Sequence, residues 1–173
     1  IVTKNIKEIQ DFLINVGEII TKPLYGNGGV GIHRFNKQNF NPDVLEQYLD
    51  LPIMVQKYIK EINHGDRRLI LIDGEYCGSV ARLPKDGDIK ANFHAGGIPK
   101  KTDLVFRDKE IIEAIRPQLV KNNLFFVGID IIGNYLTEIN VTSPTGIKQI
   151  NKLNNVNLEK VFWDKLEAKY KLV

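Results

Sequence analysis

Apolar side chains recur along this chain with two spacings, one near four residues and one of two, and their succession lays out the elements. Ile6, Ile9, Leu13 and Val16 fall on one face of a helix over residues 5–16, with Gly17 where a C-cap belongs. Residues 18–23 read as a short buried strand, residues 26–31 as a glycine cluster, and residues 31–35 as extended chain again. Asn41 and Pro42 supply an N-cap and a first-turn proline for a helix over residues 43–50. A strand at 53–59 follows, then a hairpin of residues 67–73 and 75–83 around Asp73-Gly74. From 84 to 99 glycine and charge replace the periodicity, which predicts an irregular, mobile loop. A helix over about 103–122 turns Ile111, Ile112, Ile115 and Leu119 inward, and Pro117 inside it is expected to bend it or end its regular part. A second hairpin, 124–132 and 135–141, turns at Gly133-Asn134, and a last helix covers about 158–170. Strand pairs followed by helices, without regular βαβ alternation, predict an α+β fold.

Composition narrows the function classes without choosing one. The chain has 173 residues, 43% hydrophobic and 26% charged, as an ordinary globular domain does. Its 24 basic and 21 acidic side chains leave a net charge of +3, spread along the sequence. No block of Lys and Arg interleaved with aromatics is present, so charge gives no case for a nucleic-acid partner. No apolar run approaches the ~18 residues of a membrane span, and residues 1–10 carry charges where a signal peptide would be apolar. The single cysteine, Cys77, has no internal disulfide partner, which fits a reducing, cytoplasmic setting. The chain opens at Ile1 and its only methionine is Met54, so a fragment or excised domain is expected.

Three constellations carry chemistry. Residues 26–31 spell GxGxxG, but a dinucleotide fingerprint needs a helix directly after the glycines, and a strand is predicted here. A glycine hairpin between strands can still fold over phosphates, because bare backbone N–H groups approach the oxygens closely, and Lys22 can add a point charge. The competing reading is a surface hairpin beside a solvated lysine. Asp130, Glu138 and Asn140 lie on the two arms of the second hairpin, and strand alternation puts Glu138 and Asn140 on one face. Two carboxylates and an amide oxygen suit Mg²⁺, with Mn²⁺ as the alternative, and would explain acids set among isoleucines. Otherwise the hairpin has one wet face. Arg67, Arg68 and Arg82 form the third group, in which Arg68 and Arg82 can converge on a phosphate or carboxylate; singly, each reads as a surface arginine. His33, His64 and His94 show no zinc spacing, Cys77 has no activating base, and Ser143 lacks a GxSxG frame.

In chain order, a lysine before a glycine hairpin, a strand exit at 56–59, paired arginines and an Asp…Glu-x-Asn set resemble the ATP-grasp ligases. Lys22-Pro23-Leu24 with Gly26, Gly28 and Gly29, then Gly65-Asp66-Arg67-Arg68, then Val127 to Gly133 (VGIDIIG), then Leu136 to Thr145 (LTEINVTSPT), are similar to the prokaryotic glutathione synthetase family over nearly the whole chain. The resemblance implies an ATP-grasp domain over residues 1–173, mostly antiparallel sheet packed with helices and incomplete at its N-terminal end. The family's substrate-binding domain, and the part of the small subdomain with a second ATP-binding lysine, would be absent. Lys22 would contact ATP phosphate under a loop of Gly26, Gly28 and Gly29. Backbone at Gln56, Tyr58 and Ile59 would read adenine, and Asp66 would hold ribose. Asp130, Glu138 and Asn140 would hold Mg²⁺, Asn140 counting also among the catalytic residues with Arg68 and Arg82. Those two arginines would meet the transferred phosphate and the acceptor carboxylate, and Asn92 and Ser143 would position the acyl substrate. Residues 85–97 look like the family's lid, with Lys90-Ala91-Asn92 where Arg-Gly-Asn is usual; Tyr25 stands where an acid is common. The implied reaction joins glycine to γ-glutamylcysteine through an acyl phosphate, giving glutathione, ADP and phosphate, in an enzyme that commonly forms homo-oligomers. Another ATP-grasp carboxylate–amine ligase, or a catalytically silent nucleotide-binding fragment, are the alternatives.

Overall fold

Asn5 opens the first helix: its side-chain oxygen accepts from Lys7 N–H at 2.9 Å, capping α1 (Ile6–Val16), and Gly17, at φ 83°, closes it by donating to the Leu13 carbonyl. The computed structural model describes residues 1–25, 29–48, 50–84, 92–93 and 96–171, in two units, Ile1–Lys60 and Glu61–Val173. In the first unit, β1 (Val2–Thr3), β2 (Glu18–Pro23), β3 (His33–Asn36) and β4 (Ile53–Lys57) form an antiparallel sheet in the order β1-β4-β2-β3. Alternation sends Ile19, Phe35, Ile53 and Val55 to one face, where Ile9 and Leu13 of α1 and Leu45 of α2 (Asp43–Glu46) bury them. Asn41 does cap α2, accepting from Asp43 N–H at 3.0 Å. The helix stops at Glu46, short of the expected residue 50, because Tyr48 and Leu51 bond carbonyls three residues back and the chain continues as tight turns.

The second unit is a five-stranded antiparallel sheet in the order β7-β6-β5-β8-β9: β5 (Asp66–Ile72), β6 (Glu75–Leu83), β7 (Ile98–Lys100), β8 (Phe126–Ile132) and β9 (Tyr135–Asn140). Asp73 and Gly74, at φ 54° and 77°, close the first hairpin as a two-residue turn matched to strand twist. Leu69, Leu71, Val127, Ile129 and Ile131 face α3 (Phe106–Lys121) through Ile111, Ile112 and Leu119. On the opposite face Ile70, Ile72 and Val80 pack under Ile150 of α4 (Ile147–Asn154) and Leu158 of α5 (Leu158–Tyr170). Helix α3 runs on to Lys121, so Pro117 does not end its regular part. Helix α4 and strands β1 and β7 add to the elements read from sequence, β7 taking Ile98 and Pro99 from the loop expected at 84–99, and the α+β expectation agrees with the architecture. No helix among the described residues is long and apolar enough to cross a membrane.

Two register shifts decide which side chains meet. In the first hairpin Ile70 pairs with Gly78 and Leu71 with Tyr76, leaving Cys77 as the extra residue. In the second, Ile131 pairs with Leu136 but Asp130 with Glu138, leaving Thr137 as the extra residue; its hydroxyl donates to the Asp130 carbonyl at 3.1 Å.

Candidate functional site

The bulge at Thr137 brings Glu138 and Asn140 to the polar face of the second sheet. Counting outward from Gly133-Asn134, a regular ladder would pair Asp130 with Thr137 and Ile129 with Glu138, turning Glu138 and Asn140 toward the α3 core. The extra residue instead sets Glu138 opposite Asp130 and Asn140 opposite Gly128. Directly opposed residues share a face, so the pairs Asp66–Arg82, Arg68–Asp130 and Asp130–Glu138 bring two arginines and three carboxylates to one surface of β6, β5, β8 and β9. Farther along that face the residues become the Ile70 and Ile72 that α4 and α5 cover.

The buried members form a chain of alternating charge. Arg82 forks onto Asp66, Nε to Oδ1 at 2.7 Å and Nη2 to Oδ2 at 2.5 Å, and its Nη2 also reaches Asp130 Oδ2 at 2.8 Å. Arg68 closes a second fork on Asp130, Nε donating to Oδ1 and Nη2 to Oδ2, while its Nη1 donates to the Thr145 carbonyl at 3.1 Å. Burial pushes the Asp66 carboxyl up, and the Arg82 hydrogen bonds and charge oppose this without cancelling it. At Asp130 burial acts the same way, but Arg68 and Arg82 together outweigh it and hold the carboxyl below its ordinary value. Burial alone would lower the Arg82 guanidinium, yet Asp66 and Asp130 hold it above its usual value, so it stays charged. Two positive and two negative groups therefore balance inside the sheet, which makes their burial affordable.

Space for this chain comes from glycines. A Cβ on Gly128 would lie 2.6 Å from the Pro144 Cβ and 3.3 Å from the Arg68 Cδ. Gly146, at φ 111°, lets the chain turn into α4 beside Arg68. Pro144 is buried and Ser143 beside it is exposed. The Phe93 ring lies 5.7 Å from the Arg82 guanidinium carbon, and Asn92 next to it is half-buried. Arg67 leaves the group predicted for it: one position along the strand it points to the other face, where it bonds Asp108 at 2.6 Å and the Gly133 carbonyl at 2.9 Å. Asp108 and the Thr145 carbonyl were not among the sequence candidates. Nothing in the sequence spacing marks the carbonyl, whereas an acid buried in the first turn of α3 is a detectable signal.

For a divalent cation this face offers oxygens of Asp130, Glu138 and Asn140. Among the described residues no three His, Cys, Asp or Glu side chains are placed to hold a metal ion, so a set on this face would include the Asn140 amide. The Asn140 side-chain nitrogen is buried without a hydrogen-bond partner, an arrangement that costs about 1–3 kcal/mol unless something outside the chain repays it. Turning that amide about its last torsion exchanges its nitrogen and oxygen. Asp130 already accepts three bonds, and an ionised carboxylate has about four acceptor positions. The donors are all hard oxygens and suit a cation of the Mg²⁺ kind.

In the first unit, Lys22 stands opposite Met54, and Gln56 opposite Ile20, on the face of the sheet away from α1. Regular pairing ends at Lys57, although Tyr58 N–H still donates to the Glu18 carbonyl at 2.9 Å, so Ile59 lies past the ladder. The Tyr58 ring is buried beneath the Arg34 guanidinium, 3.8 Å from its centroid, and Arg34 is held by Glu18 at 2.6 Å. Gly29 has φ 82°. Gly26, Gly28 and residues 85–91 of the expected lid lie outside the described residues. Asp66, expected at a ribose, is buried with both oxygens on Arg82.

The family model for the prokaryotic glutathione synthetase ATP-grasp domain matches residues 1–155, all but the last helix. The glutathione synthetase of Brucella melitensis biotype 1 is 43% identical across 98% of this chain and 55% of its own length. That of Synechococcus elongatus is also 43% identical, across 91% of this chain and 50% of its own. The chain thus spans about half the length of the curated relatives it matches. Among solved structures, ATP-grasp ligase PsnB complexed with a precursor peptide and AMPPNP matches with a TM-score of 0.72 at 19% identity, over 99% of this chain and 52% of that one. D-alanine–D-alanine ligase from Bacillus anthracis complexed with ATP matches with a TM-score of 0.61 at 16% identity, over 94% and 57%. These likenesses give the fold, and the sequence relatives and family model give the kinship: the chain belongs to the prokaryotic glutathione synthetase family, as its ATP-grasp domain.

Proposed function

We propose that this chain carries the ATP-using centre of a ligase that joins glycine to γ-glutamylcysteine, giving glutathione, ADP and phosphate. The observation that carries the reading is the polar face of the second sheet, where Arg68, Arg82, Asp130, Glu138 and Asn140 share one surface. The kinship with glutathione synthetases selects the substrates from those an ATP-grasp ligase can use.

In this reading the cysteinyl carboxylate attacks the ATP γ-phosphorus. The bond to the ADP oxygen breaks, and the glycine amine then displaces phosphate from the acyl phosphate. Such chemistry depends on position and charge neutralisation more than on proton transfer. A divalent cation, Mg²⁺ or Mn²⁺ in its place, supplies charge to the phosphate oxygens when held by Asp130, Glu138 and Asn140. Arg82 and Arg68 present guanidinium groups already fixed by carboxylates, so little reorganisation is needed when phosphate charge builds up. Asn92 and Ser143 orient the acyl substrate. In the first unit Lys22 takes an ATP phosphate beside Gly26, Gly28 and Gly29, and the backbone at Gln56, Tyr58 and Ile59 meets adenine. Residues 85–97 exclude water, which would otherwise hydrolyse the acyl phosphate.

The test is ADP formation with ATP, Mg²⁺, γ-glutamylcysteine and glycine, with the peptide product identified by mass. ADP formation that needs both co-substrates, with glutathione as product, supports the reading. A different amine or acid serving better would move the chain to another ATP-grasp ligase activity. ATP binding without ADP formation would make it a nucleotide-binding module.

A further inference from the structure

Resting on that reading, we propose that Glu18 and Arg34 brace the strand exit at Tyr58, so that the backbone of Tyr58 and Ile59 is held in place to read a purine base. Arg34 is in this account a positioning residue for nucleotide choice, not a ligand. Three observations carry this. Regular pairing of β4 with β2 stops at Lys57, opposite Ile19, yet the chain is held for one residue more because Tyr58 N–H donates to the Glu18 carbonyl at 2.9 Å. Glu18 is engaged a second time through its carboxylate, which accepts from Arg34 Nε at 2.6 Å. The Arg34 guanidinium carbon in turn lies 3.8 Å from the centre of the Tyr58 ring. Glu18 therefore grips Tyr58 twice, at the backbone directly and at the ring through Arg34.

The second observation is the face on which this happens. Arg34 pairs with Ile20 and Ile20 with Gln56, so the three side chains form one row across β3, β2 and β4. Alternation puts Glu18 and Lys22 on the same side of the sheet, away from α1. The third observation is a contrast in burial. The Arg34 side chain is 38% exposed, whereas Tyr58 is 5% exposed. A surface arginine ordinarily moves through many rotamers; here a carboxylate and a ring fix its plane. Backbone groups discriminate between bases only while they are fixed. Adenine presents an amino donor and a ring-nitrogen acceptor where guanine presents a carbonyl acceptor and an N–H donor, and a fixed site leaves polar groups unpaired against the wrong base. A loosened exit can shift to meet either.

The experiment measures dissociation constants for MgATP and MgGTP by titration calorimetry on the whole chain, in wild type, Arg34→Met, Glu18→Gln and the double variant, with melting temperatures beside them. One exposed ion pair and one cation–π stack hold the exit by a factor of roughly 5–30, and binding that needs the exit in place weakens by up to that factor. The expected result for Arg34→Met is therefore MgATP binding weaker by roughly 5–30-fold, a smaller loss for MgGTP, and a narrower ratio between the two. Glu18→Gln should weaken MgATP in the same direction, and the double variant should be no weaker than Arg34→Met, because the two residues act as one unit. The kcat for ADP formation at saturating ATP should stay within about twofold of wild type. An arginine that touched the nucleotide itself would give another pattern: ATP and GTP weakened alike in Arg34→Met, and Glu18→Gln binding as well as wild type or better. That pattern, or unchanged MgATP affinity in Arg34→Met, would overturn the proposal. If Arg34→Met does not fold, Arg34→Lys, which keeps the charge without the planar group, replaces it with the same directions. If wild type binds neither nucleotide, the reading under the previous heading fails, and amide hydrogen exchange decides the brace. Exchange at Tyr58 N–H should be faster in Arg34→Met than in wild type, while Val55 N–H, held by the Ile1 carbonyl at 2.8 Å, stays as slow. Equal exchange at Tyr58 in the two proteins would overturn the proposal.

Discussion

Gly128 faces Asn140 on one neighbouring strand and Ile70 on the other, and Pro144 rests directly over it. Gly128→Ala should therefore cost about 1–3 kcal/mol, since the Pro144 Cβ would stand 2.6 Å from the new methyl group. Urea unfolding checks this, and an unchanged midpoint would show that the segment from Ser143 to Gly146 can lift away freely. Cys77 offers a second test. Burial pushes its thiol above the ordinary value, so at neutral pH less of it is thiolate than in the unfolded chain. Iodoacetamide should alkylate the folded chain more slowly than the urea-unfolded chain, and the gap should narrow as pH rises through the folded thiol's pKa. At this scale the sequence picks out charged residues well but not their partners. Arg67 and Arg68 are adjacent and look equivalent, yet strand alternation sends one to Asp108 and the other to Asp130. Asp66 falls just before the strand read at 67–73, and only the ladder shows that Arg82 lies opposite it.

The elements were legible wherever a period persisted. Helix α1 has its cap, its apolar face and its glycine stop in the sequence, and strands β2 and β6 were bounded by the residues predicted for them. Helix α4 repeats Ile147, Ile150 and Leu153 every three residues, but it follows Gly146 with no side-chain cap and so lacks the start signal that Asn5 gives α1. Strand β7 has three exposed residues and so no pattern to read; it exists because β6 offers it an edge. Of the two effects expected of Pro117, bending α3 or ending it, the ending does not occur. A proline removes one helical hydrogen bond, but Ile111, Ile112 and Leu119 bury their side chains on both sides of it and keep the helix running. The bulge at Thr137 is invisible to a two-residue period, yet the place of Glu138 and Asn140 on the polar face depends on it. Deleting Thr137 should restore a regular ladder and turn Glu138 and Asn140 to the α3 side. The expected outcome is a chain that has lost Mg²⁺-dependent ADP formation and melts well below wild type. Retained activity would mean that the donor set does not depend on this register.

For the molecule as a whole, the α+β class followed from hairpins alternating with helices, while the division into two units left no mark in composition. The small net charge was equally silent about the buried ionic chain, because that chain is neutral in itself. What sequence alone supplied at this scale was kinship, through strings such as LTEINVTSPT, and the family model and the relatives agree with it. The central claim is that the polar face of the second sheet is where ATP chemistry is done. Glu138 is its exposed end, so replacing it should alter function with little effect on folding. The decisive measurement is the Mg²⁺ dependence of ADP formation by wild type and Glu138→Gln, with γ-glutamylcysteine and glycine present. The account predicts a melting temperature within a few degrees of wild type, a higher Mg²⁺ requirement, and a rate lowered by roughly 100-fold, about 2.7 kcal/mol of barrier. An unchanged rate at the same Mg²⁺ concentration would contradict it.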